Sequence, residues 1–249
     1  MKKEGYVIIL GVILLIGLNY NFLDNALQGF LVQGELAQVQ RIVDGDTLKI
    51  NNDSVRLLGI NCPEKGEKYY SEAKEFLENE TLNQIVRLES KGKDLYYREL
   101  AYVFIGSQNI NLKLVEEGYA NYYFPEGKDS YYDKFVKAWI ECMNQNKNLC
   151  EKSEDKCSKC IVLENFGEGQ NVVLKNVCDF ECDLKGWTIK DEGRKKFTFE
   201  EKTLYQNEKV TLTPEDFGKT YVWTSSGDTL FLRDSEGKLV LWEPYLLLP

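Results

Sequence analysis

The chain has 249 residues, room for two small domains or one large one. Its 43% hydrophobic and 29% charged residues exclude a disordered chain, and the absence of histidine excludes catalytic triads, histidine bases and the common zinc-enzyme ligand sets. The net charge of −9 is spread as −1 over 1–35, −3 over 36–150 and −5 over 151–249, which argues against coating nucleic acid by bulk charge.

Lys2 and Lys3 precede an uncharged run from Gly5 to Leu23 whose core, Tyr6 to Leu18, is almost all Val, Ile, Leu and Gly. As a helix the run spans about 28 Å, close to the hydrocarbon thickness of a bilayer. It reads as a membrane anchor or a cleaved signal peptide, and the lack of a clear small-x-small cleavage site favours the anchor. The two lysines favour a cytoplasmic amino end, with everything that follows outside the cytoplasm, or secreted if the segment is cleaved. Residues 24–35 form a spacer.

The strands Ala37–Val43, Thr47–Ile50 and Val55–Ile60 are joined by the turn compositions Asp44-Gly45-Asp46 and Asn51-Asn52-Asp53. Tyr69, Ala73, Phe76 and Leu77 share one helical face, and Gln84–Glu89 and Leu100–Ile105 are further strands. A short helix through Leu112 and Val115 stops at Gly118. Ser130 with Asp133 resembles a capping box, opening a helix with the apolar stripe Tyr132, Phe135, Val136, Trp139 and Met143. Five strands with inserted helices suit a small barrel. Asn144 to Lys159, poor in apolar residues, reads as a linker, and beyond it only strand patterns follow, as expected of a β-sandwich. The organisation is therefore 1–35 as anchor and spacer, 36–152 as a mixed α and β domain, and 153–249 as a cysteine-containing linker and all-β domain.

One set of residues carries chemistry. The chain reads Ile42-Val43-Asp44-Gly45-Asp46-Thr47, then Val55-Arg56-Leu57-Leu58-Gly59-Ile60-Asn61-Cys62-Pro63-Glu64, then Asp94-Leu95-Tyr96-Tyr97-Arg98-Glu99-Leu100-Ala101-Tyr102. Alone, Asp-Gly-Asp-Thr is a turn between strands and a lone arginine is half of an ion pair. Together, carboxylates at a turn, two arginines and a glutamate after proline are the means for phosphodiester hydrolysis without histidine. A hard cation on carboxylate oxygens polarises phosphate, a carboxylate takes a proton from water, and guanidinium forks match the growing charge.

Over roughly residues 36–150 this set resembles the staphylococcal nuclease (thermonuclease) family. The resemblance implies an OB-fold-type five-stranded barrel with helices and a calcium-dependent endonuclease acting on DNA or RNA. It implies that Asp46 ligates one calcium ion with Asp44 nearby, that Asn61 and the backbone carbonyl of Cys62 complete the ligand set, and that Glu64 is the general base. It implies that Arg56 and Arg98 bind the scissile phosphate. Tyr96 is placed to contact the nucleotide, and Tyr123, between Tyr122 and Phe124, a second part of the substrate. Asn61 stands where the family has aspartate, and the lost negative charge predicts weakened metal affinity. Cys62 stands where threonine is usual, a position that serves through its backbone carbonyl, and Leu95 replaces a phosphate-binding lysine. Lys91, Lys93 and Arg98 are close enough in sequence to form a positive lip, or solvated loop charges. A barrel that binds nucleic acid without cutting it is the alternative reading, and an envelope tether a second.

Asp183-Leu184-Lys185-Gly186-Trp187-Thr188-Ile189-Lys190-Asp191, with the later Gly227-Asp228-Thr229-Leu230-Phe231-Leu232-Arg233-Asp234, resembles the lamin-tail domain. That implies an immunoglobulin-like β-sandwich over about 161–246, a binding or tethering module of unknown protein partner, with Trp187 and Trp223 in its core. Cys142, Cys150, Cys157, Cys160, Cys178 and Cys182 cluster around the linker. They read either as three disulfides or, through Cys157-x-x-Cys160 and Cys178-x-x-x-Cys182, as a structural zinc site, in both cases fastening the domains together. Cys62 stands apart.

Overall fold

A computed structural model describes residues 34–125, 127–167, 170–225 and 227–245. The expected anchor at residues 5–23 lies outside these residues. Among the described residues no helix is long and apolar enough to cross a membrane.

The amino-terminal part is built on strands β1 (Glu35–Asp44), β2 (Thr47–Ile50), β3 (Asp53–Leu57), β4 (Ile60–Asn61), β5 (Ile85–Lys93), β6 (Glu99–Ile105), β7 (Gln108–Asn109) and β8 (Asn121–Tyr122). The sheet runs β3-β2-β1-β5-β6-β7, and an additional parallel pairing of β3 with β6, with Arg56 opposite Leu100, closes five strands into a barrel. Closure removes the open edges that a β3-to-β6 sheet would expose. The β1–β2 hairpin pairs Asp44 with Thr47, so Gly45 and Asp46 form its tight turn. A Cβ on Gly45 would lie 2.9 Å from Cβ of Ala73 and 3.1 Å from that of Cys62, so only glycine lets this turn pack so closely on helix and loop.

Helix α1 (Tyr70–Thr81) buries Ala73, Leu77 and Thr81, a spacing that puts them on one face. Helix α2 (Ile110–Glu116) is capped by the Asn109 side chain, which accepts from the Leu112 amide, and Gly118 beyond it takes φ +71°. Helix α3 (Tyr132–Gln145) buries Phe135, Ala138, Trp139 and Cys142. The expected capping box is absent: the N-cap is Tyr131 with no side-chain cap bond, and Asp129 instead accepts from the Tyr131 amide. Asp129 also accepts from the Tyr102 hydroxyl, so the start of α3 is tied to β6.

The expected linker is a fastened segment. It forms 3₁₀ turns at Asn148–Cys150 and Lys156–Lys159, Asn148 Nδ2 donates to the Glu117 carbonyl, and Lys152 bridges to Leu239. Its polar composition serves these hydrogen bonds rather than chain freedom.

The carboxyl-terminal part has β9 (Ile161–Phe166), β10 (Val172–Asn176), β11 (Cys182–Asp183), β12 (Thr188–Lys190), β13 (Lys196–Thr198), β14 (Thr203–Leu204), β15 (Lys209–Leu212), β16 (Asp228–Arg233) and β17 (Leu239–Tyr245). One sheet runs β15-β10-β9 and another β13-β12-β16-β17, with β11-β14 as a small pair. Trp187 and Trp223 lie in the core between them, as the sequence predicts. A 3₁₀ turn at Pro214–Phe217, with a capping box from Thr213 and Asp216, interrupts the expected all-strand pattern.

Three disulfides join Cys142 to Cys150, Cys157 to Cys182 and Cys160 to Cys178, leaving Cys62 free and buried. The four cysteines with zinc-like spacing are thus cross-linked in two pairs. The bridges close local loops, with separations of 8, 25 and 18 residues, and none joins the barrel to the sandwich. That junction is non-covalent. Strand β16 is buried along Asp228–Leu232 because both its faces are covered: Leu230 and Leu232 enter the sandwich core, while Phe231 enters the barrel core. Tyr122 hydrogen-bonds Thr229, and Trp242 donates to the Tyr122 hydroxyl.

Candidate active site

The site forms where the β1–β2 turn, the end of β3 and the chain through β4 meet. Asp46 is buried at the turn. One of its carboxylate oxygens accepts from Thr47 Oγ1 at 2.9 Å, and the other lies 3.1 Å from Arg56 Nη2 and accepts from the Cys62 amide at 3.4 Å. Arg56, only 7% exposed, donates from Nη1 to the Leu57 carbonyl and from Nη2 to the carbonyl of Ile60 and Oδ1 of Asn61. The structure thus brings Asp46, Arg56, Asn61 and Cys62 together. Asp44 stands at the rim and accepts from the Tyr70 hydroxyl at 2.8 Å, a bond that pushes the Tyr70 phenol up.

The oxygen donors suit a hard cation in type. The set holds the buried Asp46 carboxylate and the Asn61 amide oxygen, with Asp44 beside it. Among the described residues no group of three or more Asp, Glu, Cys or His side chains is placed to hold an ion. Burial, and then Asp46, pushes the Cys62 thiol well above its ordinary range, so it stays a neutral packing group against Gly45.

Glu64 lies two residues beyond, on a loop held by Glu67, whose carboxylate accepts from the Glu64 amide at 2.9 Å. Burial works to raise the Glu67 carboxyl, but Lys190 and Lys196 overcome it and hold it at about 2. Both lysines belong to the sandwich. Lys196 Nζ is 2.7 Å from Glu67, and Lys190 Nζ 3.6 Å. A cleft of about 310 Å³ opens beside this loop, lined by Pro63, Glu67, Lys190, Lys196 and Arg233 among others.

The sandwich also reaches the site itself. The turn between β12 and β13 places Gly193 so that its carbonyl accepts from Asn61 Nδ2 at 2.7 Å, and Arg194 Nε lies 2.7 Å from Glu64 Oε1. Asn121 Nδ2 donates to the Glu192 carbonyl, and Glu192 Oε2 accepts from the Phe124 amide. A Cβ on Gly193 would come within 3.3 Å of the Tyr123 ring. Tyr123, expected to meet substrate, is half-buried under this turn. Tyr122 and Phe124 are core residues.

Arg98 precedes β6, two residues before the register partner of Arg56, and its Nε pairs with Asp94 at 2.7 Å. Its guanidinium lies 5.5 Å from the Tyr96 ring centroid. Leu95, Tyr96 and Tyr97 are exposed at the tip of that loop. Lys91 pairs with Glu89, which neutralises part of the expected lip.

Sequence reasoning missed Glu67, Gly193 and Arg194. The last two lie 132 and 130 positions from the residues they meet, so no local spacing signals them. The continuous apolar run Leu230-Phe231-Leu232 is the local signal from which the covering of β16 on both faces could have been read.

Residues 54–152 match the family model described as Staphylococcal nuclease homologue, and residues 151–245 match that of the Lamin Tail Domain. The chain is 36% identical over 133 residues to Thermonuclease of Staphylococcus intermedius, spanning 49% of this chain and 79% of that protein. It is 33% identical over 124 residues to Thermonuclease of Staphylococcus hyicus, 45% of this chain and 73% of the relative. A protein of Haemophilus influenzae named Uncharacterized endonuclease is 41% identical over 100 residues, 38% of this chain and 56% of its own length.

Proposed function

Because the chain belongs to the staphylococcal nuclease family, we propose that its barrel hydrolyses phosphodiester bonds of DNA or RNA as a calcium-dependent endonuclease. Glu64 is the general base toward water, and Arg56 and Arg98 stabilise the phosphoryl group. Asp46, the Asn61 amide oxygen and the Cys62 carbonyl would hold calcium, with Asp44 alongside. The ion would supply Lewis-acid polarisation of the phosphate. The observation that carries this reading is the convergence of Asp46 and Asn61 on Arg56 and of the Cys62 amide on Asp46, with Glu64 on the adjoining loop.

Within this reading the protein is held at a membrane through residues 5–23 and works outside the cytoplasm. The three disulfides favour an oxidising compartment. The barrel, 36–152, and the sandwich, 153–249, are two domains docked at the nuclease site.

The test is cleavage of single-stranded DNA by the purified chain with calcium, with chelator, and with Glu64→Gln. Calcium-dependent cutting, reduced about 10²-fold or more in the variant, is the expected result. A folded protein that does not cut at millimolar calcium overturns it. The second reading is a protein that binds nucleic acid or tethers the envelope without cutting. It is favoured by the commitment of Asn61 Nδ2 to Gly193 and of Glu64 to Arg194, which leaves Asp46 as the one buried carboxylate of the set.

A further inference from the structure

The β12–β13 turn has a fixed backbone and one loose side chain. Its backbone is held from both sides. Asn61 and Asn121 of the barrel donate to the carbonyls of Gly193 and Glu192, while the Glu192 amide donates to Asp228 and the Lys195 amide to Asp191. Gly193 lies against Tyr123, where an added Cβ would sit 3.3 Å from both the ring and the Asp191 carboxylate. By contrast the Arg194 side chain is 59% exposed, and its one ion pair is with Glu64, itself 47% exposed. Only Nε is engaged. Among the described residues the two terminal guanidinium nitrogens make no hydrogen bond.

The other arginines near the site are less exposed. Both terminal nitrogens of Arg56 serve backbone carbonyls, and Nη2 also serves Asp46 and Asn61. Arg98 is also tied through Nε alone, to Asp94, but its side chain is 27% exposed against 59% for Arg194. In a chain of net charge −9, the guanidinium presented to solvent beside the candidate base therefore comes from the sandwich.

We propose that Arg194 is a substrate-binding residue of the nuclease site, carried there by the β12–β13 turn, and that it binds a backbone phosphate of the nucleic-acid strand. In the free protein it rests on Glu64. An exposed pair of this kind is weak, so a phosphate, which accepts two parallel N–H bonds from a guanidinium fork, displaces it readily. Strand binding thus frees the Glu64 carboxylate as it engages Arg194. The docked sandwich is then part of the substrate site rather than a separate tether. The identity of the strand rests on the nuclease reading above.

The test uses the full chain as wild type, Arg194→Ala and Arg194→Lys. Binding of a fluorescein-labelled single-stranded oligothymidylate is followed by anisotropy in EDTA, from about 25 to about 200 mM NaCl, where each phosphate contact to a single strand contributes a slope of about −0.7 in log K against log salt. Arg194→Ala is expected to bind roughly 3- to 10-fold more weakly at low salt and to lose about 0.7 of that slope, while Arg194→Lys keeps the slope. With calcium, Arg194→Ala raises KM by a comparable factor and leaves kcat within about twofold. An unchanged slope overturns the proposal. So does tighter binding with a raised kcat, the signature of an inhibitory latch. If the wild type does not cleave, the nuclease reading falls while the salt slope still decides the role of Arg194.

Discussion

Asn61 donates its side-chain amide to the carbonyl of Gly193, 132 residues away, across the junction between barrel and sandwich. The family's aspartate could not make this bond, because a carboxylate would place oxygen against oxygen. The departure at 61 thus has a structural cause. Asn61→Asp is expected to lose about 1–3 kcal/mol of stability in EDTA, since a buried carbonyl is left without its donor and a charge is added beside it. The same change adds a second carboxylate next to Asp46, so calcium should raise the melting temperature of the variant more than that of the wild type. Thermal melts of both proteins with and without calcium check this. Equal melting temperatures in EDTA would contradict the account of Asn61.

The barrel was legible because its signals are local. The Asp44-Gly45-Asp46 turn, the buried spacing of Ala73 and Leu77, and the stop at Gly118 each act within a few residues. So did the grouping of Asp46, Arg56, Asn61 and Cys62, which adjacent strands and a short loop bring together. The failures are long-range or competitive. Asp129 displaced the box expected at Ser130 because its carboxylate could serve the Tyr131 amide and Tyr102 at once. The polar segment 144–159 looked unstructured because its partners, Glu117, Asp234 and Leu239, lie far along the chain. The turn that half-covers Tyr123 comes from the distant β12–β13 segment, and nothing near Tyr123 in sequence announces it.

Phe231, with Leu239 and Trp242, carries apolar contact across the junction. Phe231 is 2% exposed, and its ring meets Trp139 edge-on at 5.4 Å between centroids. Phe231→Ala leaves a cavity beside Trp139 and should cost about 3–5 kcal/mol. The wild type is expected to unfold in one urea transition, since one strand serves both cores, and the variant to separate into two. Tryptophan fluorescence and far-UV circular dichroism should coincide in the first and diverge in the second. A variant that unfolds with the wild-type midpoint would show that the two parts do not share stability.

The junction also carries buried acids. Burial, with Asp228 and Asp191 adding repulsion, pushes Glu192 from 4.5 to about 8 against the opposing bond from Thr229. Burial and Asp228 push Asp191 from 3.8 to about 6. A carboxyl whose folded value is raised binds more protons in the native state than in the unfolded one. Stability therefore falls as pH rises, between about 4 and 6 for Asp191 and between about 4.5 and 8 for Glu192. Each group contributes a slope of up to about 1.4 kcal/mol per pH unit within its window. Above about 6 the slope belongs mainly to Glu192, and Glu192→Gln should flatten it there. Urea midpoints between about pH 6 and 8 measure this, and a slope that persists in the variant would assign it elsewhere.

The cysteine pairing predicts a labelling count. Six of the seven thiols are bridged, and Cys62 is buried with its thiol held protonated. Iodoacetamide should add nothing to the native protein, one group after denaturation without reductant, and seven after denaturation with reductant. A zinc site at Cys157, Cys160, Cys178 and Cys182 would instead release four more thiols to denaturant and chelator alone. Intact mass separates the two outcomes. Reduction of the native fold should also lower stability, by about 2–4 kcal/mol for each bridge, because the loops it reopens regain conformational freedom in the unfolded chain. Since no bridge crosses from barrel to sandwich, the junction at Phe231 should outlast reduction of Cys157–Cys182 and Cys160–Cys178 wherever the sandwich core itself stays folded.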